Sequence, residues 1–197
     1  MKNLSSKLTL VLTALMLSVW SGGAYAAKCT APKSPDELTI EDLQAIYECI
    51  GPKLKEGYAG KGNDWAKAYP NWKGASSAPA APGVHSGQYL MTFVNDVGFD
   101  QYIQYNSDNT EMPVGTIIAK EAFTIKKNKK IKKGPLLFME KVGLDQAPNT
   151  GGWRYSGLKP NGKKLKVKEE GFCHACHQAY PQNDFLGYPV ENVRVKG

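Results

Sequence analysis

The sequence predicts an α+β fold, a mainly antiparallel β-sheet with one helix before it and a short helix or loop after it. Four segments rich in β-branched and aromatic residues follow one another, with turn residues and no helical pattern between them. Helical patterns occur only towards the two ends of the chain, which favours α+β over an alternating α/β architecture. A chain of 197 residues, 42% of them hydrophobic, is long enough for one domain with a real core. The predicted strands cover residues 88–94, 116–124, 136–142 and 153–158.

Residues 1–26 have the composition of a secretory signal peptide. Two lysines precede an apolar run at residues 8–20, and an A-x-A stretch follows at residues 24–26. The run is too short for a comfortable membrane span, and no later segment is long and apolar enough to replace it. We therefore expect a periplasmic protein. The formal charge is +7, yet these features exclude a cytosolic nucleic-acid binder and, after signal cleavage, an integral membrane protein.

The first helix is predicted at about residues 36–50. The segment 34–37 combines a capping serine, a proline at the first helical position and an acidic residue, and Thr39 offers a second, overlapping start. Apolar residues then repeat at helical spacing as far as Ile50. Gly51-Pro52 is expected to interrupt this pattern.

We divide the chain into a signal peptide (1–26), a helix-and-loop extension (27–84) and a β-rich main domain (85–197). The extension is too small to fold alone, so residues 27–197 are expected to form one globular unit. Within the main domain, residues 126–133 contain six lysines at the tip of a predicted hairpin. A solvated loop is the simplest interpretation of such a charge run. The alternative is a docking patch for an acidic partner or an anionic surface.

The four cysteines fall into two pairs, and all of them lie in the exported part of the chain. Cys29 precedes the first predicted helix, and Cys49 lies at its end. Because exported proteins fold in an oxidising compartment, we predict a disulfide between them. This pair is interpreted as structural.

Cys173, Cys176 and His177 form a C-x-x-C-H motif, which is the attachment motif for c-type haem. Two thiols add to the haem vinyl groups, and the following histidine supplies a neutral nitrogen ligand to the iron. We predict one covalent haem c per chain. A redox-active cysteine pair, a zinc site and a plain disulfide are the alternatives, although a zinc site would crowd its ligands into five residues.

The other two histidines receive simpler interpretations. His174 lies inside the motif and is interpreted as a surface polar residue. His85 is interpreted as a loop histidine, with a role as a sixth iron ligand as the alternative. Three methionines are candidates for a sixth iron ligand, although each is more simply interpreted as a core residue. They are Met91, Met112 and Met139.

The chain resembles the cytochrome P460 and cytochrome c′-β family over about residues 85–190. The resembling stretches are residues 87–102, 113–121 and 149–155, followed by the C-x-x-C-H motif. The Gly-Thr-x-x-x-Lys-Glu pattern at 115–121 is the family signal. The resemblance implies a mainly antiparallel β fold, a homodimer, and a five-coordinate haem that is open on one side.

The resemblance also implies a role for Lys120. In P460 proteins a lysine of this strand is bonded to a meso carbon of the haem, and Lys120 occupies its position. Strand alternation places Lys120 and Ile118 on one face, opposite Glu121. Burial would lower the lysine pKa and so provide a nucleophilic amine. The alternative is a free lysine close to a haem propionate.

The implied activity is oxidation of hydroxylamine or a related small nitrogen compound, with the electrons passed to another cytochrome. A distal carboxylate would accept protons, and Glu169 and Glu170 are the candidates. Arg154 is a candidate partner for a haem propionate because a guanidinium matches a carboxylate. The strand at 88–94 lacks the arginine that P460 enzymes are expected to carry there.

Two other functions are compatible with the same motif. A c′-β-like protein would bind nitric oxide or a similar gas without turnover, in a pocket crowded by aromatic side chains. A plain electron carrier would need a sixth iron ligand. The aromatic candidates for such a pocket are Phe93, Phe99 and Phe123.

Overall fold

The computed structural model describes residues 28–83, 85, 87–166 and 170–196. The predicted signal peptide therefore lies outside the described residues. Among the described helices, none is long and apolar enough to cross a membrane.

The described chain is built on one five-stranded antiparallel sheet. Each strand pairs with the next one along the sequence, so the strands form a meander. This architecture confirms the predicted α+β fold. The strands are β1 (Lys73–Gly74), β2 (Tyr89–Val94), β3 (Ile117–Ile125), β4 (Ile131–Lys141) and β5 (Trp153–Leu158).

Strand β4 begins earlier than predicted. Ile131 pairs with Ile125 and Lys132 with Thr124, so the lysine-rich segment continues the ladder almost to the turn. The turn itself lies against the N-terminal arm, where the Ala31 amide donates to the Lys129 carbonyl at 2.9 Å. Part of the lysine-rich segment is therefore engaged within the chain.

Four α-helices accompany the sheet: α1 (Ile40–Ala59), α2 (Asp64–Ala68), α3 (Phe99–Tyr102) and α4 (Glu170–His177). Thr39 caps α1, so the second of the two predicted starts is the one used, and Pro35–Glu37 forms a separate 3-10 turn. The predicted end of this helix was wrong. The helix passes through Pro52 because Leu54 and Tyr58 extend its buried stripe by another two turns.

The two faces of the sheet carry different packing. On one face α1 covers a core that includes Phe93, Phe123 and Phe138. On the other face a smaller cluster includes Ile118 and Trp153. This division confirms the predicted alternation along β3.

A disulfide joins Cys29 to Cys49, as predicted. It ties the N-terminal arm to the middle of α1. The bond therefore lies on the α1 side of the sheet.

Candidate haem site

Helix α4 carries the C-x-x-C-H motif. Cys173 is half-buried, Cys176 is exposed, and both are free thiols. Residues three and four apart are neighbours on a helix surface, so Cys173 lies beside both Cys176 and His177. Burial raises the pKa of the Cys173 thiol. The arrangement presents two thiols and one imidazole from a single helix.

His177 is oriented by the loop that follows α4. Its ring is buried, and Nδ1 lies 2.7 Å from the Phe185 carbonyl oxygen. A carbonyl only accepts, so Nδ1 carries the hydrogen and Nε2 keeps a lone pair. Burial, followed by the charge of Lys120, lowers the pKa of His177 to about 4. A neutral imidazole whose second nitrogen donates to a carbonyl is the usual form of a histidine that ligates a metal.

A buried ion pair fixes this loop to the sheet. Asp184 Oδ1 accepts from Lys141 Nζ at 2.6 Å and from Trp153 Nε1 at 3.2 Å. Its Oδ2 accepts from the Met112 amide at 2.8 Å. Asp184 and Phe185 both have positive φ, at 54° and 63°, so these contacts hold an otherwise unfavourable backbone conformation. The Phe185 carbonyl that orients His177 is thereby held in place.

A cavity of about 770 Å³ lies between α4 and the sheet. The motif residues line it on the helix side. The volume falls within the roughly 300–1,000 Å³ typical of cofactor pockets. Its apolar sheet wall is formed by Leu90, Ile118, Leu137 and Met139.

The residues present therefore fit a haem c. The cavity is mainly apolar, as a porphyrin requires, and a preoriented imidazole and two free thiols face it. Cys173 and Cys176 would hold the haem covalently, and His177 would ligate its iron. A second cavity, of about 820 Å³, lies around Trp65 and Leu158 and contains no motif residue.

Lys120 lies on the wall of the first cavity, with only 8% of its surface exposed. Its Nζ donates to the Gly187 carbonyl oxygen at 2.7 Å. Burial lowers the pKa of Lys120 to about 8. The structure thus brings Lys120 into the same cavity as Cys173, Cys176 and His177.

His85 also lines this cavity, close to His177. The centres of the two rings are 6.1 Å apart, with an angle of 66° between their planes. Burial, followed by the charge of Lys120, lowers the pKa of His85 to about 4. The sequence had favoured a simple loop histidine. No local pattern indicated a cavity residue, because the contact joins two distant segments.

His174 is half-buried, which corrects its interpretation as a surface residue. Its Nδ1 lies 3.1 Å from the Tyr155 hydroxyl, and its ring packs 4.8 Å from that of Phe185. Tyr155 also packs 5.4 Å from the His177 ring. Tyr155 therefore belongs to the site, and the sequence did not predict its contacts with the two histidines.

The structure does not bring Arg154 to the cavity. It is exposed and lies between the inward-facing Trp153 and Tyr155, so alternation directs it to the opposite face. Its predicted contact with a haem propionate is not supported. Glu169 and the side chain of Glu170 lie outside the described part of the structure.

The aromatic residues proposed for a gas pocket lie elsewhere. Phe93 and Phe123 are in the core beneath α1, and Phe99 packs against the smaller cluster. Of the methionines, Met91 also lies in the α1 core and Met112 in the smaller cluster, whereas Met139 reaches the cavity wall. The aromatic residues that line the cavity are therefore other ones, namely Phe138, Tyr155, Phe172, Tyr180 and Tyr188.

The fold and the C-x-x-C-H helix together define the class of a c-type haem protein with an antiparallel sheet. A family model for cytochrome P460 matches residues 65–187, more than half of the chain. The chain therefore belongs to the cytochrome P460 family and is a c-type haem cytochrome. No curated protein matches the sequence significantly.

Proposed function

We propose that this chain is a periplasmic mono-haem cytochrome that oxidises hydroxylamine or a related small nitrogen compound. The observation that carries the proposal is the buried amine of Lys120 on the wall of the cavity. With a pKa of about 8, roughly a tenth of this amine is neutral at pH 7 and available as a nucleophile, far more than for an ordinary lysine. The family resemblance assigns this strand position to the haem cross-link.

The oxidation removes electrons and protons from the bound nitrogen compound. When bound, haem supplies a redox-active iron. Another cytochrome is the proposed oxidant that finally takes up the electrons. Glu170, which begins α4 three residues before Cys173, is the proposed proton acceptor, with Glu169 as the alternative.

Export and assembly belong to the same proposal. The signal-like segment supports cleavage after residue 26, and the family resemblance supports a homodimer. Periplasmic fractionation and analytical ultracentrifugation of the exported protein test these two points. A cytoplasmic protein that contains no haem would contradict the first, and a monomer would contradict the second.

The central test compares two lysine variants of the exported holoprotein. In Lys120→Met we expect an ordinary c-type spectrum, loss of any peptide link between β3 and haem, and turnover reduced roughly tenfold or more. Peptide mapping by mass spectrometry and hydroxylamine-dependent reduction of an artificial acceptor measure the two effects. Lys132→Met, at an exposed position on β4, is the control and should match the wild type.

A second function is favoured by one observation, the apolar sheet wall of the cavity. Such a wall suits a small neutral gas such as nitric oxide. If wild-type protein lacks the cross-link and shows no turnover but binds nitric oxide tightly, the gas-binding function replaces the enzymatic one.

A further inference from the structure

The connections at the two ends of the sheet carry opposite charges. The turn between β3 and β4 and the segment after β5 lie at one end, and the other strand connections lie at the opposite end. At the first end, residues 126–133 contain six lysines, residues 159–166 contain four, and neither segment contains an acidic residue. At the opposite end, residues 95–116 contain four acidic residues and residues 142–152 contain one, with no lysine or arginine. The sheet connections therefore create a positive and a negative end.

The lysine-rich turn between β3 and β4 is partly occupied by the N-terminal arm. Lys129 Nζ donates to the Pro32 carbonyl at 3.1 Å. The arm also brings an acidic residue close to this turn. Hydrogen bonds from Ser34 lower the pKa of the Glu37 carboxyl, and the charge of Lys129 adds to this shift. Part of the positive charge of this turn is thus already used within the chain.

The second lysine-rich segment, residues 159–166, is here called the basic turn, and its lysines are exposed. Within the described residues, none of these lysines forms a salt bridge. The backbone of the basic turn is nevertheless ordered by hydrogen bonds. The Lys159 amide donates to the Lys163 carbonyl at 2.8 Å, and the Leu165 amide donates to the Gly157 carbonyl at 2.8 Å. The basic turn therefore presents unpaired positive charge from a fixed backbone.

The basic turn also reaches the cavity that fits the haem. Leu165 and Lys166 both line this cavity. Among the described residues that line it, Lys120 and Lys166 are cationic and none is acidic. The lysines of the basic turn thus lie at the edge of the candidate redox site.

Exposed apolar side chains lie at the same cavity. Phe172 is 77% exposed, Val190 45% and Tyr180 40%, and all three line the cavity. An apolar centre with a polar or charged rim is the usual anatomy of a protein–protein interface. An acidic protein would meet complementary charge at the basic turn and apolar surface beside it.

We propose that the basic turn and the apolar residues beside it form the docking face for an acidic redox protein. One electron passes from the ferrous haem to the metal of this partner, so the haem is oxidised and the partner is reduced, and no covalent bond forms. The proposal rests on the part of the proposed function in which electrons leave to another protein. It adds that this partner carries an acidic face, because opposite charges steer association and orient the two proteins.

Electron transfer from the chemically reduced holoprotein tests the proposal without hydroxylamine, so failure of the proposed oxidation does not affect the result. The protein is reduced with dithionite, freed of excess reductant and mixed in a stopped-flow instrument with plastocyanin, an acidic copper protein that accepts one electron. The second-order rate constant should fall steeply as the salt concentration rises, because salt screens the attraction. With mitochondrial cytochrome c, a basic acceptor, the rate constant should not fall with salt.

A pair of double variants locates the effect. Lys163→Gln with Lys164→Gln should lower the rate constant with plastocyanin at low salt by roughly three- to tenfold. Lys73→Gln with Arg154→Gln removes the same charge from exposed positions that the strand register places at the other end of the sheet. This control should match the wild type.

Three results would overturn the proposal. An unchanged rate constant in the basic-turn variant would show that this face does not dock the acceptor. An equal loss in the control would mean that only the overall charge matters. Binding to vesicles of phosphatidylglycerol that is lost in the basic-turn variant, with electron transfer unchanged, would assign the basic turn to an anionic membrane surface instead.

Discussion

At the scale of single residues, the neighbour of Lys120 on β3 is a buried carboxylate. Glu121 faces away from the cavity, into the core beneath α1. The hydroxyls of Tyr47 and Tyr69 donate to its two oxygens at 2.6 and 2.7 Å. Burial nevertheless raises the pKa of Glu121, and the nearby Lys55 charge only partly opposes this shift.

We predict that this carboxylate makes stability depend on pH. Because the pKa of Glu121 is higher in the folded state, the protonated carboxyl contributes to the free energy of unfolding. This contribution is fully present below the ordinary pKa of 4.5, and it is lost as the pH rises through the folded-state pKa. Glu121→Gln stays neutral, so its stability relative to the wild type should increase over that range by on the order of 1 kcal/mol. Urea unfolding at several pH values measures the difference.

Glu56→Gln, at an exposed position on α1, is the control and should run parallel to the wild type. Parallel curves for Glu121→Gln and the wild type would contradict the prediction.

The Lys141–Asp184 pair gives a second prediction at this scale. Asp184→Asn leaves the buried Lys141 ammonium without its counter-charge, while asparagine tolerates the positive φ. Removing one partner of a buried pair should lower the free energy of unfolding by about 3 kcal/mol. Denaturant titration of the holoprotein measures this loss.

A double variant, Lys141→Met with Asp184→Asn, removes both charges and provides the comparison. It should lose less stability than the two single variants added together. Strict additivity would mean that the pair is not coupled.

The sequence predicted these residues unevenly. Cys173, Cys176 and His177 follow a local motif, so they were identified without structure. Glu121 bonds to tyrosines 74 and 52 residues away, and no local pattern encodes such contacts. His85 was interpreted mainly as a loop histidine, because its contact with His177 also joins distant segments.

At the scale of elements, segments rich in β-branched and aromatic residues and bounded by turn residues located the main strands well, because such residues suit a sheet that is packed on both faces. The helix prediction failed at Pro52 because tertiary burial outweighed the local preference of proline. Helix α1 is held against the sheet by residues beyond that point, including Leu54 and Tyr58. Local rules therefore predicted the existence of α1 better than its length.

Two helical glycines should respond in opposite ways to alanine. At Gly57 in α1, an added methyl group would overlap the Pro160 carbonyl oxygen, so Gly57→Ala should destabilise the protein by about 1–3 kcal/mol. At Gly171 in α4, no described atom lies within 4 Å of the added group. Gly171→Ala should stabilise by up to about 1 kcal/mol through helix propensity.

Thermal unfolding of the two holoproteins beside the wild type measures both effects. A stabilised Gly57→Ala protein would show that α1 does not dock as closely as the structure indicates.

At the scale of the whole molecule, the sheet separates the larger hydrophobic core from the candidate haem cavity. The face beneath α1, with the disulfide nearby, carries the larger core. The opposite face carries the cavity and α4. The strands are ordered as in the sequence, in keeping with the tendency of successive strands to lie side by side. The contact between α4 and the loop before β2 could not be predicted from the sequence, because it depends on how distant segments pack together.

The measurement that most directly tests the account is the intact mass of the exported protein after denaturation, from a host with haem-attachment machinery. We expect the mass of the chain from residue 27 plus one haem, which stays bound without the native fold. Replacement of Cys173 and Cys176 by alanine should remove that mass. A wild-type chain of bare polypeptide mass would contradict the haem site.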